Sequence, residues 1–248
     1  MLMEAKNELE IISSAFTKAC VERFGNELLG IYFYGSSTTN DFRITSDYDF
    51  VAVVREVSSQ TLQTVAEVLA SISEVSGCDK LEGGFHAIEK GAPWKDTVGI
   101  WVDKGMKVSK CMMHIEHDSV FAICTSGMHC YGMPPLELLP KLTEAELLAF
   151  EKKYILEFVD NMPRRSETAQ RLYGALLNAC RSACYILDKK YMTKTEAAQR
   201  MCASIPELED TVEKALYLRQ EMNAISVTNK DIDSCKKAIL RMREYMGV

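Results

Sequence analysis

Asp47 and Asp49 stand one residue apart in the stretch YGSSTTNDFRITSDYDFVAVV, residues 34–54, at the head of an apolar run. Successive side chains of a strand point to opposite faces, so the two carboxylates share one face and Tyr48 takes the other. Like charges at that spacing repel, and a metal ion, a shared proton or an arginine has to compensate them. Mg2+ suits such a pair, because it takes hard oxygen ligands and shares them with phosphate oxygens. Upstream, Gly35 permits close backbone approach, and Ser36 and Ser37 offer hydroxyl and N–H donors to phosphate. A D-x-D pair alone would read equally well as two solvated aspartates. Joined to a preceding apolar strand and a glycine–serine turn, it points to metal-assisted phosphate chemistry.

These residues need a frame. Residues 4–24 carry apolar positions near a 3.6 period and read as an amphipathic helix, which Gly25 and Asn26 can end. LLGIYFYG, 28–35, reads as a buried strand, and DYDFVAVV, 47–54, as a second strand antiparallel to it or beside it. Residues 58–75 read as a second helix, 80–90 as a third strand interrupted by glycines, and 98–108 as a hairpin-like excursion. From about residue 117 helical periodicity dominates. HDSVFAICTSGMHCYG reads as a helix plus a turn, and MPPLELLP as a connector. Thr143 with Glu146, and Thr193 with Glu196, are capping boxes that open two helices. Pro163 ends the first of these. Further helices are expected over 166–190, 207–222 and 230–246. The fold class is α+β: an N-terminal α/β domain with a small mixed sheet over 1–138, followed by a C-terminal helical bundle over 139–248.

Bulk properties narrow the partners. The chain has 248 residues, 47% apolar and 26% charged, as in ordinary soluble proteins. A net charge of −6 argues against nucleic acid, which demands a basic surface, and suits a cationic ligand. No apolar stretch is long enough to span a bilayer, and MLMEAKNELEII lacks a signal-peptide layout, so a cytosolic protein is expected. The nine cysteines form no C-x-x-C pair and read as reduced thiols, several of them buried.

The pattern Gly35-Ser36 followed by Ser46-Asp47-Tyr48-Asp49 resembles the polymerase-β-like nucleotidyltransferase superfamily. Its members use two or three strand carboxylates and metal ions to move a nucleotidyl group onto a hydroxyl. LEGGFHAIEKGAPW, 81–94, is similar to a segment of the aminoglycoside 3''/9-adenylyltransferases, the streptomycin and spectinomycin resistance enzymes. That resemblance implies Mg2+, ATP as substrate, release of pyrophosphate and an antibiotic acceptor. It places Asp47 and Asp49 on the metal, and Gly35, Ser36 and Ser46 at the nucleotide phosphates. It places Glu82 as general base, with Glu89 as competitor. VGIW, 98–101, resembles the family's FGEW, whose tryptophan packs on the drug, so Trp101 becomes a substrate contact. LLNACRSACYILDKKYMTKTEAAQRM resembles the helical C-terminal domain, Arg181 included, and sets Lys194 and Tyr217 on the triphosphate. One departure falls on the acceptor. Where streptomycin-handling members carry an acidic residue on the long helix, this chain has Arg171, with Glu167 one turn earlier. That points away from streptomycin and opens the acceptor to other hydroxyl-bearing molecules, a lincosamide or a protein hydroxyl among them. The reading from another class is a partner-binding antitoxin-like module.

Residue chemistry supports two of these assignments. Lys194 follows the N-cap Thr193, where free N–H groups attract anions and the helix dipole disfavours a lysine, so a bound phosphate would account for it. The glycines after Glu82 leave room for a substrate beside its carboxylate. Elsewhere, Cys111, His114 and His117 would share a face of a helix, where zinc is conceivable, but would split between faces of a strand. Arg164 and Arg165 read as a solvated corner.

Overall fold

The computed structural model describes residues 2–43, 45–76, 79–89, 92–103, 105–162, 167–221 and 223–248. Pro163, Arg164 and Arg165, singled out above, lie outside them, as does Cys78, one of the nine cysteines. The chain divides into two compact units, one of Met1–Phe42 and Ser46–Leu142, the other of Arg43–Thr45 and Thr143–Val248.

The first unit is built on a six-stranded mixed sheet. Its elements are α1 (Leu2–Phe24), β1 (Leu28–Tyr34), β2 (Tyr48–Val54), α2 (Thr61–Ser76), β3 (Leu81–His86), β4 (Thr97–Asp103), β5 (Lys107–Met113), α3 (His117–Ser126), β6 (Met128–Gly132) and the short α4 (Pro135–Leu138). The strand order is β5-β4-β3-β2-β1-β6, and only the β2–β3 pair is parallel. β2 is buried along its length except at Asp49, because both faces of its sheet are covered. Tyr48, Phe50, Ala52 and Val54 face α1 and α2, where Leu9, Ile12, Phe16 and Cys20 recur at helical spacing. Phe16 packs 4.6 Å from Phe50 and 5.7 Å from Phe33, ring centre to ring centre. Val51 and Val53 face the other way, into a smaller core with Tyr32, Val120, Ile123 and Leu139. Burying each such side chain stabilises by about 1.5–3 kcal/mol.

Two expectations are corrected here. MHCYG, expected to be a turn after a helix, is the edge strand β6, paired with β1 from Phe33↔Met128 to Gly30↔Gly132. None of its residues is buried, so it shows no apolar run. Tyr32 Oη helps fix it, donating to the Met133 carbonyl at 2.6 Å. The excursion at 98–108 is a full hairpin of β4 and β5 that continues to Met113. Residues 107–113 are therefore strand, and the helical face proposed for Cys111, His114 and His117 does not form.

The second unit is helical, with α5 (Glu144–Leu156), α6 (Ala169–Asp188), α7 (Lys194–Ser204), α8 (Glu209–Leu218) and α9 (Asn229–Met246). Both expected capping boxes are present, at Thr143–Glu146 and Thr193–Glu196, and a third, Thr228–Asp231, opens α9. The core gathers Leu172, Leu176, Cys180, Met201, Val212 and Ile239 around α6. No helix of the described residues is long and apolar enough to cross a membrane. Among the described residues, eight cysteines are free thiols, four of them buried.

Asp231 locks this bundle from within. Its carboxylate is buried, accepts from Tyr173 Oη at 2.8 Å and pairs with Lys214. It also accepts from the Thr228 N–H and hydroxyl at 2.9 and 2.6 Å. Burial alone would raise its proton affinity. Lys214, Thr228 and Tyr173 outweigh that and hold the carboxyl well below the ordinary carboxylate range. A carboxyl depressed on folding adds stability above its unfolded value and loses it as pH falls. Asp231→Ala is expected to destabilise the helical unit by about 2–3 kcal/mol, since half-exposed Lys214 can return to water. Thermal melts from pH 7 down to pH 3 check this: the wild type should begin to lose this increment once pH falls below about 3.8, and the variant should show less acid sensitivity.

Candidate active site

The parallel pairing of β2 with β3 sets Asp49 beside Glu82 in register, and Asp47 precedes Asp49 by two on the same face. The two aspartates lie close enough to Glu82 to perturb it. Burial, then the charges of Asp47 and Asp49, push the Glu82 carboxyl up to about 8, where it hydrogen-bonds Asp47; Asp103 adds to the effect. Glu89, the competing base, is exposed and pairs with Lys95 at 3.1 Å on the protein surface. The geometry thus singles out Glu82 as the carboxyl beside the aspartates.

Gly35 closes the opposite side of the cluster. It adopts φ +77°, a conformation that side chains rarely take, and a Cβ built there would run into the Asp49 carboxylate. Gly35–Thr38 form a single 3-10 turn directly after β1. Its hydroxyls are partly used up in holding it: Ser37 Oγ donates to the Tyr34 carbonyl at 3.0 Å, and Thr38 and Thr39 donate to the carbonyls of Gly35 and Ser36 at 3.1 Å each. Ser37 is buried, and its hydroxyl is committed to the Tyr34 carbonyl. Ser36 and Ser46 are both half-buried.

Tyr34 was not foreseen. It stands opposite Asp49 in the β1–β2 register, and its hydroxyl accepts from Ser119 of α3 at 3.1 Å. Burial first, then Asp49, Asp118 and Glu82, hold its phenol protonated beyond the alkaline range. Its hydroxyl therefore keeps its proton, which it can donate while it accepts from Ser119. Asp103 was missed too, although it lies two residues after Trp101 and so shares its face.

Trp101 is half-buried, opposite Gly84 in the β3–β4 register and on the same sheet face as Glu82. Met113 lies over Gly84 and Gly99, where a Cβ would meet its thioether. That floor is adaptable, because methionine is unbranched and flexible.

The residues of this cluster fit a hard divalent cation. The donors are all oxygens, they converge from adjacent strands, and burial together with the repulsion of the aspartates drives Glu82 to hold a proton. An ion on Asp47 and Asp49 would relieve that repulsion.

The remaining assigned residues belong to the helical unit. Lys194 is the first residue of α7, and Thr195 beside it accepts from Arg219 at 3.1 Å and from Arg43 at 3.5 Å. Thr45 Oγ1 in turn donates to the Arg219 carbonyl at 2.5 Å. Arg43, Lys194 and Arg219 thus gather at one helix N-terminus, a setting for anions. Neither arginine was foreseen: 176 positions of sequence separate them. Tyr217 is exposed near the end of α8. Arg181 lies over the Tyr191 ring at 5.0 Å. Arg171 donates to Glu167 at 2.6 Å, and both side chains are exposed, so the Glu167 carboxylate already has an arginine partner at the surface.

No protein-family description matches the chain, and no curated protein matches it. Among solved structures it is similar to the spectinomycin adenyltransferase AAD(9) from Enterococcus faecialis, solved with ATP and spectinomycin. The TM-score is 0.68 at 18% identity, over 97% of this chain and 99% of that one. The likeness establishes the shared α+β fold.

Proposed function

We propose that the chain is an adenylyltransferase that moves AMP from ATP to a hydroxyl of a small antibiotic-type acceptor and releases pyrophosphate. The observation that carries this reading is the register that seats Glu82 against Asp49, with the proton affinity of Glu82 raised by both aspartates. The likeness along the whole chain to an enzyme solved with ATP and spectinomycin supports the same chemistry and makes spectinomycin the first acceptor to test.

In this reading Asp47 and Asp49 hold Mg2+, whose chemistry is to neutralise the triphosphate and polarise its phosphorus. Gly35, Ser36 and Ser46 hold the phosphates from the turn. Lys194 and Tyr217 are assigned to the triphosphate, with Arg43 and Arg219 adding positive charge around Thr195. Glu82 takes the proton of the acceptor hydroxyl. The oxygen forms its bond to the α-phosphorus as the bond to the β-phosphate oxygen breaks, and pyrophosphate carries away the negative charge. Positioning and charge stabilisation supply most of the acceleration. The first unit is the nucleotidyltransferase domain and the second the helical domain. Trp101, Glu167 and Arg171 are the residues assigned to the acceptor.

The Glu167–Arg171 pair bears on the acceptor. A carboxylate that already has an arginine partner offers little to the strongly basic groups of streptomycin and favours a less cationic acceptor. Pyrophosphate release tests this, with ATP, Mg2+ and a panel of spectinomycin, streptomycin, other aminoglycosides and a lincosamide. Spectinomycin is expected to raise release at least tenfold over ATP alone, and streptomycin to do less. Streptomycin as the best acceptor would overturn the argument from Glu167 and Arg171. ATP binding without stimulation by any drug would move the reading to a protein hydroxyl or to a partner-binding module.

A further inference from the structure

We propose a second metal site in the first unit, of the zinc, cobalt and nickel class, formed by His114, Glu116 and His117. His114 and Glu116 lie in the link from β5 to α3, and His117 is the first residue of α3. One ligand atom from each lies within 4.8 Å of the other two. His114 Nε2 is 3.6 Å from Glu116 Oε2. Ligands about 2.0–2.1 Å from a tetrahedral ion sit roughly 3.4 Å apart, so modest side-chain rotation closes the set. Two imidazoles and one carboxylate make a borderline donor set, which suits Zn2+, Co2+ or Ni2+ and not Mg2+. Three protein ligands leave the fourth position to water or a small molecule.

Two independent features orient these ligands. Asp96 Oδ1 lies 2.6 Å from His114 Nδ1, which places the proton on that nitrogen. That leaves Nε2, which faces Glu116, as the nitrogen available to a metal ion. A carboxylate behind a ligating histidine is the usual outer support of such sites. The His117 ring stacks on Trp94 at 4.0 Å and 15° and stands perpendicular to the His114 ring. Both rings are therefore fixed in plane by residues that are not ligands. Cys111 is not part of the group: it is exposed on β5, and its thiol donates to Met113 Sδ at 3.6 Å. The site lies at the start of α3, the helix whose Ser119 holds Tyr34. A bound ion would tie that helix start to the end of β5, giving it a structural part independent of the carboxylate cluster.

The competing account is an ion pair in which protonated His114 bridges Asp96 and Glu116 with no metal. Co2+ titration of the metal-stripped full chain in excess Mg2+ separates the two. One Co2+ per chain is expected, with a visible spectrum of four-coordinate nitrogen and oxygen ligation and no thiolate charge-transfer band. His114→Ala and His117→Ala should each weaken binding at least tenfold. Asp96→Asn should weaken it by about tenfold, as outer-shell changes do. Asp49→Asn and Cys111→Ser should leave it unchanged. If a histidine variant fails to fold, the exposed Glu116→Gln takes its place. No stoichiometric uptake by wild type in excess Mg2+ would overturn the proposal. So would a thiolate band, loss of binding in Asp49→Asn, or wild-type affinity in the histidine and glutamine variants.

Discussion

Asp47→Asn and Asp49→Asn are each expected to lower acceptor-dependent pyrophosphate release by about a thousandfold or more, roughly 4 kcal/mol of transition-state stabilisation. Asparagine keeps the shape and loses the charge that binds a cation. The fold should survive, because both aspartates are half-buried beside the Gly35 turn, outside the aromatic core. The same substitutions should make the metal-free protein more stable, not less, because each removes a charge that raises Glu82. A thermal melt in chelator checks this beside the kinetic assay. Loss of turnover with an unchanged or higher melting temperature is the expected pair of results. Unchanged turnover in either variant would remove the metal assignment.

Glu82→Gln is expected to cut turnover by about 10²–10⁴-fold, the range of a lost general base, while ATP binds within a few-fold of wild type. An equal loss of ATP affinity would make Glu82 a metal ligand instead. A pH series adds a second readout. The Glu82 carboxyl is raised on folding from an ordinary 4.5 to about 8. The stability that its proton supplies is complete below about 4.5 and is lost as pH rises through 8. The metal-free wild type should therefore lose melting temperature between pH 5 and pH 9, and Glu82→Gln should flatten that loss. Identical profiles for the two proteins would show that Glu82 does not carry the raised titration.

How far the sequence reaches depends on the range of the interactions. The shared face of Asp47 and Asp49 follows from strand alternation alone. The helix starts at Thr143 and Thr193 are visible because a capping box is complete within four residues. Glu82 needed the resemblance, because its place beside Asp49 arises only when β3 pairs parallel to β2. Strand β6 stayed hidden because none of its residues is buried and its identity as a strand comes from β1. Asp96 and His114 meet only because β4 and β5 fold back as a hairpin, and the register Thr97↔Met113 brings their neighbours together. Spacing alone picked Cys111 for that group, and the strand geometry replaced it with Glu116. Arg43 and Arg219 converge on Thr195 through contacts that no local pattern encodes. Glu167 and Arg171 stand four residues apart, so they were legible as neighbours, but Glu167 precedes the Thr168 N-cap of α6 and the closed ion pair was not legible.

The central claim is that the Asp47–Asp49–Glu82 cluster transfers a nucleotidyl group. Parallel reactions with ATP labelled at the α- or the γ-phosphate test it most directly, with Mg2+, spectinomycin and the Asp47→Asn control. The α-label is expected in the acceptor and the γ-label only in pyrophosphate, with transfer lost in the control. The γ-label in the acceptor, or α-label transfer undiminished in Asp47→Asn, would contradict it.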